Sequence, residues 1–144
     1  IRCRCNKLAI LKEIMKGNTP YKILIVDDDK FLLNMYSIKF QKEKFDVTVA
    51  SDGLEALKKL QEGFVPDAIV LDIVMPVMDG LEFLEKIRGE DLAKDSTLLI
   101  LSNQGQSSDI DKAKRLGIDG YIVKATTIPS EVVTEVQRML ANKK

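Results

Sequence analysis

The sequence predicts an α/β fold, a five-stranded parallel sheet with helices on both faces, and three observations predict it. Runs of strand length and stretches of helical periodicity alternate five times along the chain. Three of the runs, Ile23-Leu24-Ile25-Val26, Ala68-Ile69-Val70-Leu71 and Leu98-Leu99-Ile100-Leu101, are apolar at every position, as strands covered on both faces must be. Capping residues stand where the helical stretches begin or end. Strand–helix alternation of this kind gives parallel strands joined by right-handed crossovers.

Residues 1–20 read as an extension or linker, ending in the breaker cluster Gly17-Asn18-Thr19-Pro20. One domain is expected over residues 21–142. After the first strand, Leu32, Leu33, Tyr36 and Phe40 repeat at helix spacing, with Asp29 placed to cap them. Phe45, Val47 and Val49 then alternate with Asp46 and Thr48, the pattern of an edge strand. Asp52 precedes a helix marked by Leu54, Leu57 and Leu60. The third strand follows, and then a helix carrying Leu81, Leu84 and Ile87. Asp79 and Glu82 stand at capping-box spacing at its start. Beyond the fourth strand come Ile110, Ala113 and Leu116, closed by Gly117. Tyr121-Ile122-Val123 is a short fifth strand. Val132, Val136, Met139 and Leu140 mark the last helix, with Pro129 in its first turn. The flavodoxin-like strand order 2-1-3-4-5 puts the two weakest strands at the edges.

Bulk properties narrow the function. With 144 residues, 45% hydrophobic and 31% charged, the chain has material for one ordinary core. Its 22 basic and 22 acidic residues cancel, so no broad attraction to nucleic acid is expected. No apolar run approaches the ~20 residues that span a bilayer. Histidine is absent, which leaves carboxylates as the main reactive groups. Cys3 and Cys5 stand alone, with no further Cys or His to complete a metal site. They support no disulfide scaffold, which fits a cytoplasmic location.

In an open parallel sheet, ligands bind beyond the carboxyl ends of the strands. The first strand runs into Asp27-Asp28-Asp29, the third into Asp72, the fourth into Ser102 and the fifth into Lys124. Each has an ordinary explanation when taken singly: a helix cap, a solvated loop acid, a turn hydroxyl, a surface lysine. Their convergence from four distant stretches on one rim does not. Crowded carboxylates repel one another unless a cation compensates them. Mg²⁺ suits one or two carboxylates, several waters and a phosphate. Asp28 and Asp72 are the expected direct ligands, Asp27 acts through a water, and the backbone carbonyl of Val74 completes the protein's share. A carboxylate beside such a metal attacks phosphorus and becomes an aspartyl phosphate, with Lys124 stabilising the spread charge. Ser102 hydrogen-bonds the new phosphoryl oxygen. If it moves to do so, Tyr121 swings inward into the vacated space, a bistable element.

The stretches Lys22-Ile-Leu-Ile-Val-Asp-Asp-Asp29, Val70-Leu-Asp-Ile-Val-Met-Pro-Val-Met-Asp-Gly80, Leu99-Ile-Leu-Ser102 and Gly120-Tyr-Ile-Val-Lys124 together resemble the response-regulator receiver family of two-component signalling. The resemblance covers roughly residues 21–142. It implies that Asp72 is the phosphoacceptor and that Asp27 and Asp28 are the acid pair serving Mg²⁺. Ser102 and Lys124 are the accompanying hydroxyl and lysine, and Tyr121 is the switch aromatic. The implied donor is a phosphohistidine on a partner kinase or phosphotransfer protein, and the analogy extends to a phosphorylation-dependent homodimer. Such a receiver assists only its own phosphotransfer and dephosphorylation. Two positions depart from the pattern. Ala125 follows Lys124 where proline is usual, and Asn103 follows Ser102 where a smaller residue is usual, narrowing access to the phosphoryl group.

Three rival readings are weighed against this one. A receiver-like module that binds proteins without phosphate is opposed by the complete acid, hydroxyl and lysine set. A haloacid-dehalogenase-like Mg²⁺ phosphatase would use Asp27 as nucleophile, but Phe31 breaks its motif and no cap insertion is evident. A flavodoxin would not place three aspartates against a flavin phosphate.

Overall fold

The computed structural model describes residues 20–102, 107–124 and 127–142. Cys3, Cys5, Asn103 and Ala125 lie outside them. In chain order the elements are β1 (Lys22–Val26), α1 (Lys30–Lys42), β2 (Asp46–Ala50), α2 (Gly53–Gln61), β3 (Ala68–Asp72), α3 (Gly80–Gly89), β4 (Thr97–Ser102), α4 (Ser107–Arg115), β5 (Gly120–Val123) and α5 (Pro129–Asn142). All strand pairs are parallel and the order is β2-β1-β3-β4-β5, with the two weakly apolar strands at the edges.

Side-chain alternation along the central strands divides the core into two layers. Ile23, Ile25, Val70, Leu99 and Leu101 pack with Leu33, Tyr36 and Phe40 of α1 and Val132, Val136 and Leu140 of α5. Leu24, Val26, Ile69, Leu71, Leu98 and Ile100 face Ala56, Leu57 and Leu60 of α2, Phe83, Leu84 and Ile87 of α3, and Ala113 of α4. The caps read from the sequence are in place. Asp29 accepts from the backbone N–H of Phe31 and Leu32, Asp52 from Glu55, and Asp79 from Glu82. Gly117 follows α4 with φ at 87°, and Pro129 opens α5.

The second strand differs from expectation at its start. Phe45 precedes β2 and packs edge-on against Phe40, with ring centroids 5.0 Å apart. Within the strand, Val49 is 39% exposed.

Between β3 and α3 the backbone is tightly constrained. The Gly80 N–H donates to the Ile73 carbonyl at 2.7 Å, and a Cβ on Gly80 would lie 2.5 Å from the Asp72 carbonyl oxygen. This glycine lets α3 begin directly against the end of β3. At the outer edge of the loop, the Met78 N–H donates to the Pro76 carbonyl at 2.8 Å around Val77, whose φ is 69°. That is a γ-turn of the rare, strained hand, carried by a β-branched residue. The Val77 side chain is 75% exposed and contributes little packing. Val77→Gly is therefore expected to raise stability by about 1 kcal/mol, read as a higher urea midpoint. A lower midpoint would show that the loop is not strained at this residue.

Candidate functional site

The carboxyl ends of β1, β3, β4 and β5 form one rim, and the residues that follow each strand meet there. Lys124 Nζ lies 2.8 Å from Asp27 Oδ2 and donates to Asp72 Oδ2 at 3.1 Å. Asp27 is fully buried, Asp72 is 4% exposed and Asp28 is open to solvent. Oxygens of Asp27, Asp28 and Asp72 lie within 4.8 Å of one another. Asp27 Oδ1 accepts from the Asp29 N–H at 3.0 Å. Its Oδ2 meets the ammonium as an ion pair off the hydrogen-bond direction, and has no hydrogen-bond partner.

The electrostatics follow from burial. Desolvation pushes the Asp72 carboxyl up to about 6; Lys124 pulls against this, and the negative charges of Asp27 and Asp28 add to it. Burial works against the Lys124 ammonium, but its contacts with Asp27 and Asp72 more than reverse that, so it titrates above the ordinary lysine value. Three carboxylates face one ammonium, which leaves two negative charges unbalanced. A hard divalent cation with oxygen ligands matches that surplus and the under-coordinated Asp27 Oδ2. The residues present therefore fit Mg²⁺.

Ser102 is fully buried at the end of β4, and its hydroxyl donates to the Ile122 carbonyl at 3.5 Å, the outer limit of a hydrogen bond. Val74, two residues past Asp72, lies in the exposed loop. Tyr121 on β5 is 45% exposed, so its ring is partly open to solvent. Asp29, the third acid of the run, caps α1 as expected and leaves Asp27 and Asp28 to the site. Asp27 is a poor nucleophile, because it is fully buried and its Oδ2 lies against the Lys124 ammonium.

Tyr36 of α1 was legible only as a core residue, through its helical spacing. Burial raises its hydroxyl above the ordinary value, and among the charges acting on it are Lys124, Asp27, Asp72 and Asp29. It lies within the field of the site, and no local motif signals this. A second contact beyond sequence reach is that of Lys114 with Tyr121, whose ring centre is 5.2 Å from the ammonium.

Comparison with known proteins gives a consistent picture. Residues 23–137 match the response regulator receiver domain family. The alkaline phosphatase synthesis transcriptional regulatory protein PhoP of Bacillus subtilis is 36% identical over 119 residues, which cover 83% of this chain and 48% of that protein. The chemotaxis protein CheY of Halobacterium salinarum is 34% identical over 110 residues, covering 76% and 88%. The solved structure of the Vibrio cholerae chemotaxis protein CheY4 superimposes with a TM-score of 0.76 at 32% identity, covering 84% of this chain and 99% of that one. The chain thus spans about half the length of PhoP and most of the length of the chemotaxis proteins.

Proposed function

The chain belongs to the response-regulator receiver family, and on that premise we propose that Asp72 is its phosphoacceptor, served by Asp27, Asp28, Ser102 and Lys124. One observation carries the reading: a single lysine bridges a buried and a nearly buried carboxylate at the carboxyl end of the sheet, with a third carboxylate alongside. Asp28, Asp72 and the Val74 carbonyl would hold Mg²⁺, with Asp27 serving it from beside them. When bound, the ion neutralises charge that develops on the oxygens of the transferring group.

The chain's own residues do the rest. The Asp72 oxygen not held by Lys124 attacks phosphorus. An oxygen–phosphorus bond forms as the phosphorus–nitrogen bond of a phosphohistidine breaks, and the electron pair returns to the imidazole. Lys124 fixes the orientation of Asp72 and stays beside the developing charge. The weak bond from Ser102 to Ile122 can be exchanged for a phosphoryl oxygen at small cost.

Receivers of this family work with histidine kinases or phosphotransfer proteins. The surface of α1 supports a protein donor here. Phe31 is 72% exposed and Ile38 is 51% exposed, with Met35 between them at helix spacing. This apolar stripe begins at the rim that holds Asp72, so a donor helix lying across the rim would cover it.

The test uses Mg²⁺ and phosphoramidate with intact-mass and peptide mass spectrometry. Wild type is expected to gain one phosphoryl group on the peptide containing Asp72, and Asp72→Asn is expected to gain none. Equal labelling of the two proteins would sink the assignment. Labelling that instead required Asp27 would point to the phosphatase-like alternative.

A further inference from the structure

We propose that Lys114 is a latch on Tyr121, holding the ring outward and setting how often the unphosphorylated protein visits its switched conformation. This deepens the reading of Asp72 as phosphoacceptor and rests on it. Tyr121 pairs with Ile100 across β5 and β4, and Ser102 lies two residues further along β4. Residues two apart share a face of the sheet. Ile100 packs in the layer that contains α4, so Tyr121 stands on the α4 side, one strand away from the hydroxyl expected to move. The Lys114 ammonium lies 5.2 Å from the ring centre, inside the ~6 Å reach of a cation–π contact.

The helix that carries the latch is lightly attached. Among the described residues of α4, Ala113 alone is buried. At the carboxyl end of the helix, Arg88 of α3 donates to the Leu116 carbonyl at 2.7 Å and to the Gly117 carbonyl at 3.0 Å. Arg88 thus ties the carboxyl end of the helix to α3, and Lys114 sits within one turn of that anchor. A shift of α4 about Arg88 carries the ammonium off the ring. A ring that turns inward abandons the ammonium. Either movement breaks the same contact, so the position of α4 and the rotamer of Tyr121 are coupled. An exposed cation–π contact shifts a two-state equilibrium roughly two- to fivefold.

The chain has three tyrosines, Tyr21, Tyr36 and Tyr121, so 3-fluorotyrosine labelling gives three ¹⁹F signals, and Tyr121→Phe identifies one of them. Lys114→Met keeps the aliphatic stem and removes the charge; Lys114→Arg keeps a cation. In Lys114→Met the Tyr121 signal is expected to move toward the position it takes in wild type after phosphoramidate and Mg²⁺ treatment. The labelling rate at Asp72 should rise roughly two- to fivefold. Lys114→Arg should behave as wild type, and Lys114→Met should melt within about 5 °C of it. The latch is overturned if Lys114→Met leaves the Tyr121 signal in place, whether or not the rate changes, or if the wild-type signal does not move on phosphorylation. Absence of label at Asp72 brings down the functional reading itself, and mass spectrometry distinguishes that outcome from the others.

Discussion

Lys124→Met is expected to cost about 3–5 kcal/mol of stability at pH 7 in the absence of divalent metal, the penalty for leaving a buried charge without its partner. The expectation rests on where the two acids sit. Asp27 is fully buried, and its Oδ2 relies on the Lys124 ion pair. Asp72 is 4% exposed and accepts from the same ammonium. Methionine fills the space of the stem but leaves two carboxylates facing each other with no cation between them. Part of the loss should return on adding Mg²⁺, which supplies charge of the missing sign. Phosphoramidate labelling should fall on the order of 100-fold, because the charge developing at phosphorus loses a fixed cation. Urea unfolding with and without Mg²⁺ measures the first effect and intact mass the second. A stability loss below about 1 kcal/mol would mean that solvent screens the pair, as it does at a surface, and that the rim is more open than described.

How much of this could be read in advance depends on where sequence signals are one-dimensional. β1, β3 and β4 are flanked on both sides by other strands and covered by helices on both faces, so their residues are apolar without a break and show plainly. A parallel sheet then brings every strand's carboxyl end to one edge. For this reason Asp27, Asp28, Asp72, Ser102 and Lys124 could be grouped before any distance was known. Phe45 misled the placement of β2, because an aromatic residue before alternating valines looks like strand. Its ring instead buries against Phe40 across a turn in which Lys44 has φ of 65°. The γ-turn at Val77 had no signal, since Pro-Val lacks the glycine or asparagine that usually marks positive φ. Partner choice was equally hidden. The strand ends put Lys124 near the acids, but only side-chain packing decides that it bridges Asp27 and Asp72, that Ser102 turns toward Ile122, and that Lys114 reaches the ring of Tyr121.

Metal-free wild type is expected to become more stable as pH falls from 7 toward 5, against the usual trend for paired carboxylates. Burial raises the Asp72 carboxyl in the folded protein to about 6, from an ordinary value of 3.8. Between those values the folded state holds a proton that the unfolded chain does not, so lowering pH through 6 favours folding. The gain is complete near the unfolded value and amounts to at most about 3 kcal/mol. Saturating Mg²⁺ should reverse the slope. It binds the ionised carboxylate, competes with the proton, and stabilises the fold more at pH 7 than at pH 5. Asp72→Asn removes the titrating group, so it should lose the pH gain and most of the Mg²⁺ response together. Urea midpoints at pH 7, 6 and 5, in EDTA and in Mg²⁺, separate these contributions. If wild type in EDTA loses stability steadily from pH 7 to 5, in parallel with Asp72→Asn, then the carboxyl of residue 72 is neither desolvated nor crowded by its neighbours. The charge surplus that calls for a metal would then be absent from the rim.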